Sequence, residues 1–175
     1  MGDSDDHSTT SDLPSEPRSH FERRATRAGL LLLVLIVLAG AVGLLGPRKG
    51  TSSASASGYR LDVTYPAITR AGEPAPLHIR VHSTAGFDGP VHLALCDDLF
   101  DHLDFQNWYP NPSDEAGEPD RLVYEFDEPD GRVFETSLDA RAAPGEFGDV
   151  ADCAVAVLRD DTEVVSVSFH TWRMP

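Results

Sequence analysis

The chain has 175 residues and a formal net charge of −15, from 29 acidic and 14 basic residues. A chain this acidic repels nucleic acid, which excludes nucleic-acid binding as a function class. The six basic and six acidic residues up to Lys49 cancel, so the net charge lies entirely on the residues that follow. We therefore expect two parts of different character, the second of which would attract cations or a basic partner.

The first 27 residues form a polar tail. They are rich in Ser, Thr, Asp and Pro and contain few large apolar side chains. Such a segment cannot bury enough apolar surface to offset the entropy that is lost on ordering. We predict a disordered tail over residues 1–27.

Residues 28–46 form an unbroken apolar run of nineteen residues. As an α-helix the run would be about 28 Å long, close to the hydrocarbon thickness of a bilayer. More basic residues precede the run than follow it, four against two: Arg18, Arg23, Arg24, Arg27, Arg48 and Lys49. Because the more basic flank stays inside, we predict a single-pass signal anchor in the cell membrane, with a cytoplasmic N-terminus and an extracytoplasmic C-terminal part.

A cleaved secretory signal is the main alternative, since Ala54-Ser55-Ala56 matches an A-x-A cleavage site. However, the apolar run is longer than the usual signal-peptide core of about 7–15 residues. The candidate cleavage site also lies ten residues beyond the end of the run. These lengths favour an anchor that is not cleaved.

Residues 47–58 are rich in Gly and Ser and predict a flexible linker, so the folded domain is expected over 59–175. There, apolar and polar residues alternate in short runs, of which the first extends from Tyr59 to Tyr65. Alternation of this kind is typical of half-buried strands, and turn sequences such as the one at 88–90 separate the runs. Seven or eight such strands predict an all-β domain, a β-sandwich.

The domain resembles the immunoglobulin-like ectodomains of bacterial single-pass membrane proteins. The resemblance rests on the strand count, the turn spacing, and the pair Cys96 and Cys153, with Trp108 twelve residues after the first cysteine. It implies an immunoglobulin-like β-sandwich. Both cysteines lie in the part expected outside the cytoplasm, where disulfides persist. Since Cys96 is out of phase with the apolar residues before it, a disulfide and two small buried thiols both remain open.

Candidate metal ligands are present, although without a complete motif. Four aspartates cluster after the first cysteine: Asp97, Asp98, Asp101 and Asp104. Their oxygens suit calcium, and the alternative is a packed surface turn, since no calcium-loop motif is present. His78, His82 and His92 fall on the polar sides of their strands. We expect them to be ordinary exposed histidines, and the alternative is a zinc site.

No motif for a catalytic nucleophile, a catalytic metal or a phosphate-binding loop is present, so an enzyme is not expected. Four aromatic residues suit a binding surface instead: Phe105, Trp108, Tyr109 and Trp172. Three of them lie in the longest irregular stretch, about 97–120, and burial of Trp108 in the core is the alternative.

We therefore expect a membrane-anchored extracytoplasmic binding or accessory module that recognises another envelope or integral membrane protein. The alternatives are a calcium-dependent adhesive or structural surface domain and, as a third, a secreted hydrolase. No cofactor is expected, and the alternative is calcium.

Overall fold

A computed structural model describes residues 20–43, 46–145, 148 and 150–174 of the chain. The chain divides into two compact units, Met1–Gly46 and Pro47–Pro175. Most of the predicted tail, residues 1–19, lies outside the described residues. The folded second unit begins at Pro47, twelve residues before the domain start that the sequence suggested.

The described part of the first unit is one helix, α1 (His20–Ala41). It begins eight residues before the predicted span and is followed by a turn in which Gly43 has a φ of 72°. The segment Arg24–Ala41 is long and apolar enough to cross a membrane, as a signal sequence near an N-terminus also is. The large apolar side chains from Leu30 to Leu38 are each at least half exposed. The apolar N-terminal helix is confirmed, whereas its insertion into a membrane stays a prediction.

The second unit is mostly β-structure, which confirms the all-β class of the domain. Its described residues form one short helix, α2 (Asp98–His102), and ten strands. The strands are β1 (Arg48–Ala56), β2 (Tyr59–Arg70), β3 (Leu77–Ser83), β4 (Val91–Cys96), β5 (Leu103–Tyr109), β6 (Asp114–Glu118), β7 (Arg121–Phe126), β8 (Val133–Ala142), β9 (Val150–Arg159) and β10 (Thr162–Met174).

These strands form one curled, mixed sheet. Its order is β5-β8-β3-β2-β10-β9-β4-β7-β6, and β1 pairs with β2 outside this path. All pairs are antiparallel except β2 with β10, which run parallel over three residues of each strand. The two ends of the sheet are therefore β5 and β6, strands that come from the segment 97–120.

The sheet curls far enough for β5 to pack on β7 across the core. The ring of Trp108 on β5 lies 4.9 Å from that of Tyr124 and 5.6 Å from that of Phe126, measured between centroids. One hydrophobic core fills the space inside the curl, with side chains from β2 to β5 and from β7 to β10. The alternation in the sequence predicted this inward set correctly, for example Leu61 and Val63 on β2.

Residues 48–56 are not the flexible linker that their composition suggested, because they form β1. This strand pairs with β2 along its whole length, from Arg48 opposite Ile68 to Ala56 opposite Tyr59. The small residues allow the backbone of β1 to approach neighbouring side chains closely, rather than making the segment flexible. A Cβ on Gly50 would lie 2.5 Å from a ring carbon of Tyr65.

The segment 97–120 is likewise not the irregular stretch that was expected, since α2, β5 and β6 occupy most of it. Both strands lie at an end of the sheet, so each has a neighbour on one side and little burial. All five residues of β6 are exposed. Alternation cannot mark such a strand, because neither of its faces is covered.

Candidate functional site

Strand β5 carries three of the four aromatic residues that the sequence singled out. It pairs with β8 on one side, and its other edge has no neighbouring strand in the part of the chain that the structure describes. A β-bulge between Phe105 and Asn107 interrupts the pairing. An unpaired edge presents backbone N–H and C=O groups that can pair with another chain.

The three aromatic side chains of β5 lie in different surroundings. Trp108 is 4% exposed and belongs to the core, as the alternative interpretation of the sequence held. Phe105 is 48% exposed and packs edge-on against Phe100 of α2, with ring centroids 5.2 Å apart. Tyr109 is 80% exposed. Phe105 and Tyr109 are therefore accessible to a partner, whereas Trp108 supports the strand from inside.

We call the region beside the Trp108–Tyr124 contact, between the free edge of β5 and the terminal strand β6, the mouth of the sheet. Glu115 of β6 lies opposite Tyr124 of β7, so both side chains point to the core side of the sheet. Trp108 Nε1 and Tyr124 Oη are buried there without a well-formed hydrogen bond to a described residue, although Tyr124 interacts with both Trp108 and Glu115. Burial raises the pKa of Tyr124 to about 12, and the carboxylate of Glu115 adds to the rise.

A groove of about 450 Å³ lies on the other face of the sheet, across β2, β3 and β8. Tyr109 and Pro110 form one wall of it. The strand register places Asp62, Arg80 and Glu135 side by side on the groove floor. The charges are largely compensated within the chain, since Arg80 Nε is 2.6 Å from a Glu135 oxygen and Asp62 is 3.0 Å from Arg60 Nε.

Trp172 is not brought together with the other aromatic residues. It lies on β10, where it is 39% exposed and pairs with Ile68. Three strands (β2, β3 and β8) separate β10 from β5 in the sheet. Trp172 therefore belongs to a different surface from Phe105 and Tyr109.

The predicted calcium ligands do not converge. Asp97 caps α2, with one carboxylate oxygen 2.9 Å from the backbone N of Asp98, and Asp104 faces Arg141 across the β5–β8 pair. In the described ranges, no group of three or more His, Cys, Asp or Glu side chains could hold a metal ion. The same finding applies to a zinc site at His78, His82 and His92, of which His92 has its Nε2 3.1 Å from a Glu125 oxygen.

Cys96 and Cys153 are joined by a disulfide, with their Cα atoms 5.4 Å apart. Of the two interpretations that the sequence left open, the structure has the bridge rather than the two thiols. Cys96 is the last residue of β4, where the alternation of the strand ends, so its phase does not prevent the bond. The bond closes a loop of 57 residues and stabilises the domain by about 4 kcal/mol in the chain-entropy model.

Some residues of these sites carried no signal in the sequence. Glu115 and Tyr124 meet in the mouth through the pairing of β6 with β7, and Asp62, Arg80 and Glu135 meet on the groove floor through the pairing of three strands. The alternation assigns all of these residues except Glu115, which lies on the exposed strand β6, to a face of their strands. Only knowledge of which strands are neighbours could have grouped them.

No family model matches the chain, and no curated protein matches it. A solved structure described as "AvmM Catalyzes Macrocyclization in Alchivemycin A Biosynthesis" is similar at 12% sequence identity. The similarity covers 72% of this chain and 98% of that chain, with a TM-score of 0.35. A similarity at this level carries no conclusion about fold or activity.

Proposed function

We propose that the chain is a single-pass, membrane-anchored binding module without enzymatic activity, whose sheet domain lies outside the cytoplasm and recognises another envelope protein. The apolar helix and the excess of arginines on its N-terminal side support the anchor and its orientation. The disulfide supports an extracytoplasmic domain, because such bonds persist in oxidising compartments.

The free edge of β5 is the observation that carries the binding function. Peptide-binding proteins often recognise an extended segment by adding it as a strand to an exposed sheet edge. In β5 that edge lies between two exposed aromatic side chains, Phe105 and Tyr109. Aromatic residues are enriched at protein interfaces, and tyrosine and tryptophan are enriched among the residues that carry most of the binding energy.

The immunoglobulin-like sandwich is part of this proposal. Two observations support it. The two halves of the curled sheet enclose one core, and the long strand β2 pairs with both β3 and β10. Two features set the domain apart from immunoglobulin domains that carry an inter-sheet disulfide. The Cys96–Cys153 bond joins neighbouring strands β4 and β9, and Trp108 lies on a terminal strand.

Site-specific photo-crosslinking in intact cells tests the binding function. A photoreactive phenylalanine analogue is placed at Phe105, at Tyr109 and, as a matched exposed aromatic position on another strand, at Trp172. We expect the same partner, identified by mass spectrometry, to be linked from the two β5 positions and not from Trp172. The variants Phe105→Ala and Tyr109→Ala should each reduce recovery of that partner. No adduct from β5, or identical adducts from all three positions, would refute the proposal.

A further inference from the structure

The curl of the sheet determines what lies opposite a strand that is added to β5. Trp108 of β5 packs against Tyr124 and Phe126 of β7, so these two strands face each other across the core. The next strand beyond β7 is β6, which ends the sheet. A partner strand beside β5 would therefore face β6 across the mouth, and its inward side chains would meet the inward side chains of β6.

The inward side chain that β6 offers at this position is acidic. Glu115 lies opposite Tyr124 and so points into the mouth, whereas Asp114 lies opposite Glu125 and points to the outer face. Arg121, the first residue of β7, pairs with Glu118 at the end of β6, with its Nε 2.6 Å from a carboxylate oxygen. Glu115 thus presents a carboxylate to whatever enters the mouth.

Two buried polar groups behind Glu115 also lack a well-formed hydrogen bond in the described part of the chain. Trp108 is 4% exposed and Tyr124 is 1% exposed, and neither Nε1 of the first nor Oη of the second makes a well-formed hydrogen bond, although Tyr124 interacts with both Trp108 and Glu115. Buried polar atoms are nearly always satisfied, so the Tyr124 hydroxyl beside Glu115 has room for a further hydrogen-bond donor, whereas the indole N–H of Trp108 needs an acceptor that a cation does not supply. A cationic side chain that enters the mouth can donate a hydrogen bond to Tyr124 Oη as well as to Glu115.

We propose that the partner segment is a basic, extended peptide that adds to the free edge of β5 and inserts a Lys or Arg side chain into the mouth, onto Glu115. The inference rests on the proposed binding function and specifies the chemistry of its ligand. Charge complementarity supports it beyond the mouth itself, because the net charge of −15 lies on the residues after Lys49. An acidic surface also speeds the encounter with a basic segment.

Peptide binding by the full chain in phosphatidylcholine nanodiscs tests this inference. The probe is a fluorescent decapeptide of alternating lysine and valine, and its partner probe has prolines in place of alternate valines. The two have equal charge, but proline removes the backbone donors that a strand needs. We expect fluorescence anisotropy to show binding of the first peptide at least tenfold tighter than that of the second. Amide hydrogens of β5 should gain protection from exchange in the first complex.

Two matched variants separate insertion into the mouth from general attraction. Glu115→Gln and Asp114→Asn each remove one negative charge from neighbouring positions of the same strand, on opposite faces. We expect the first to weaken binding of the alternating peptide about tenfold and the second less than twofold.

The outcomes distinguish this inference from the binding function on which it rests. Equal effects of the two variants, equal binding of the two peptides, or no binding of the alternating peptide would overturn the basic-strand inference. If Phe105 and Tyr109 give crosslinks that do not depend on Glu115, the proposed binding function stands and the basic partner segment is rejected. If β5 gives neither crosslinks nor peptide binding, both proposals fail.

Discussion

Trp108 and Tyr109 are neighbours in the sequence and face opposite environments, with 4% and 80% of their surfaces exposed. Alternation along a strand explains the contrast. It does not explain Phe105, which shares the core side with Trp108 although three positions separate them. The bulge between Phe105 and Asn107 adds the extra residue that brings both side chains to one face.

The sequence identified the aromatic residues of β5 as candidates but could not divide them into core and surface. That division depends on the bulge and on the position of β5 at the end of the sheet. Neither feature has a local signal. Trp172 shows the same limit, since its distance from β5 follows from the strand order alone.

The hydroxyl of Tyr124 gives a pH-dependent prediction at this scale. Burial, with a smaller contribution from Glu115, raises the pKa of Tyr124 from 10.0 to about 12. The difference between the absorbance titrations at 295 nm of the native chain and of Tyr124→Phe should therefore show one ionisation near pH 12. Glu115→Gln should lower that midpoint without returning it to 10, because burial is the larger cause.

The raised pKa of Tyr124 also fixes the direction of a stability change. As the pH rises above 10, Tyr124 ionises in the unfolded chain before it does so in the folded chain. The stability that Tyr124 contributes to the folded chain is therefore complete below pH 10 and is lost as the pH rises towards 12. In urea unfolding at pH 9 and pH 11.5, Tyr124→Phe should lose less stability between the two conditions than the native chain. Equal losses would contradict a buried, neutral Tyr124.

At the scale of elements, β1 shows how composition can mislead. A segment rich in Gly, Ser and Ala has the signature of a linker, and here the same small residues form a strand along β2. The sequence of β1 shows no alternation of large apolar and polar residues, because most of its side chains are small. Strands β2, β3, β8 and β10 were predictable, because each has one face in the core and one in solvent.

The close approach of β1 to the aromatic residues beneath it predicts a sharp effect of one added methyl group. In Gly50→Ala the new Cβ would lie 2.5 Å from a ring carbon of Tyr65, which itself stacks on Phe169 with centroids 4.5 Å apart. Because the ring is held from both sides, we expect a loss of about 1–3 kcal/mol in the free energy of unfolding, measured by chemical denaturation.

Ser53→Ala is the matched control for this substitution, since Ser53 lies on the same strand with an exposed side chain. Its effect should stay within about 0.5 kcal/mol, the usual range for surface substitutions. If Gly50→Ala is as mild as the control, β1 is not packed against Tyr65. In that case the segment behaves as the linker that its composition suggests.

At the scale of the whole molecule, the uneven charge and the apolar helix were readable from the sequence, since both follow from counting residues. The curl of the sheet was not, because it depends on pairings between strands distant in sequence, such as β2 with β10. The mouth is a consequence of that curl. A site formed by the two ends of one sheet could not have been placed without it.

The position of β1 bears on whether the N-terminal helix is retained. The candidate cleavage site Ala54-Ser55-Ala56 lies at the end of β1, so cleavage there would remove the strand that pairs with β2 over its nine residues. Cleavage would also leave unpaired the edge of β2 that β1 covers, and an unpaired strand edge favours aggregation. The fold thus favours an anchor that stays attached to its domain.

We therefore expect the chain purified from membranes to keep its N-terminus. N-terminal sequencing should begin at Met1 or Gly2, and alkaline phosphatase fused after Met174 should be active, since that enzyme requires export. A chain that begins at Ser57 should unfold at lower denaturant concentration than the full chain, because it lacks the β1–β2 ladder. A mature protein that begins at Ser57 with undiminished stability would show instead that residues 1–56 are an export signal and that β1 is dispensable.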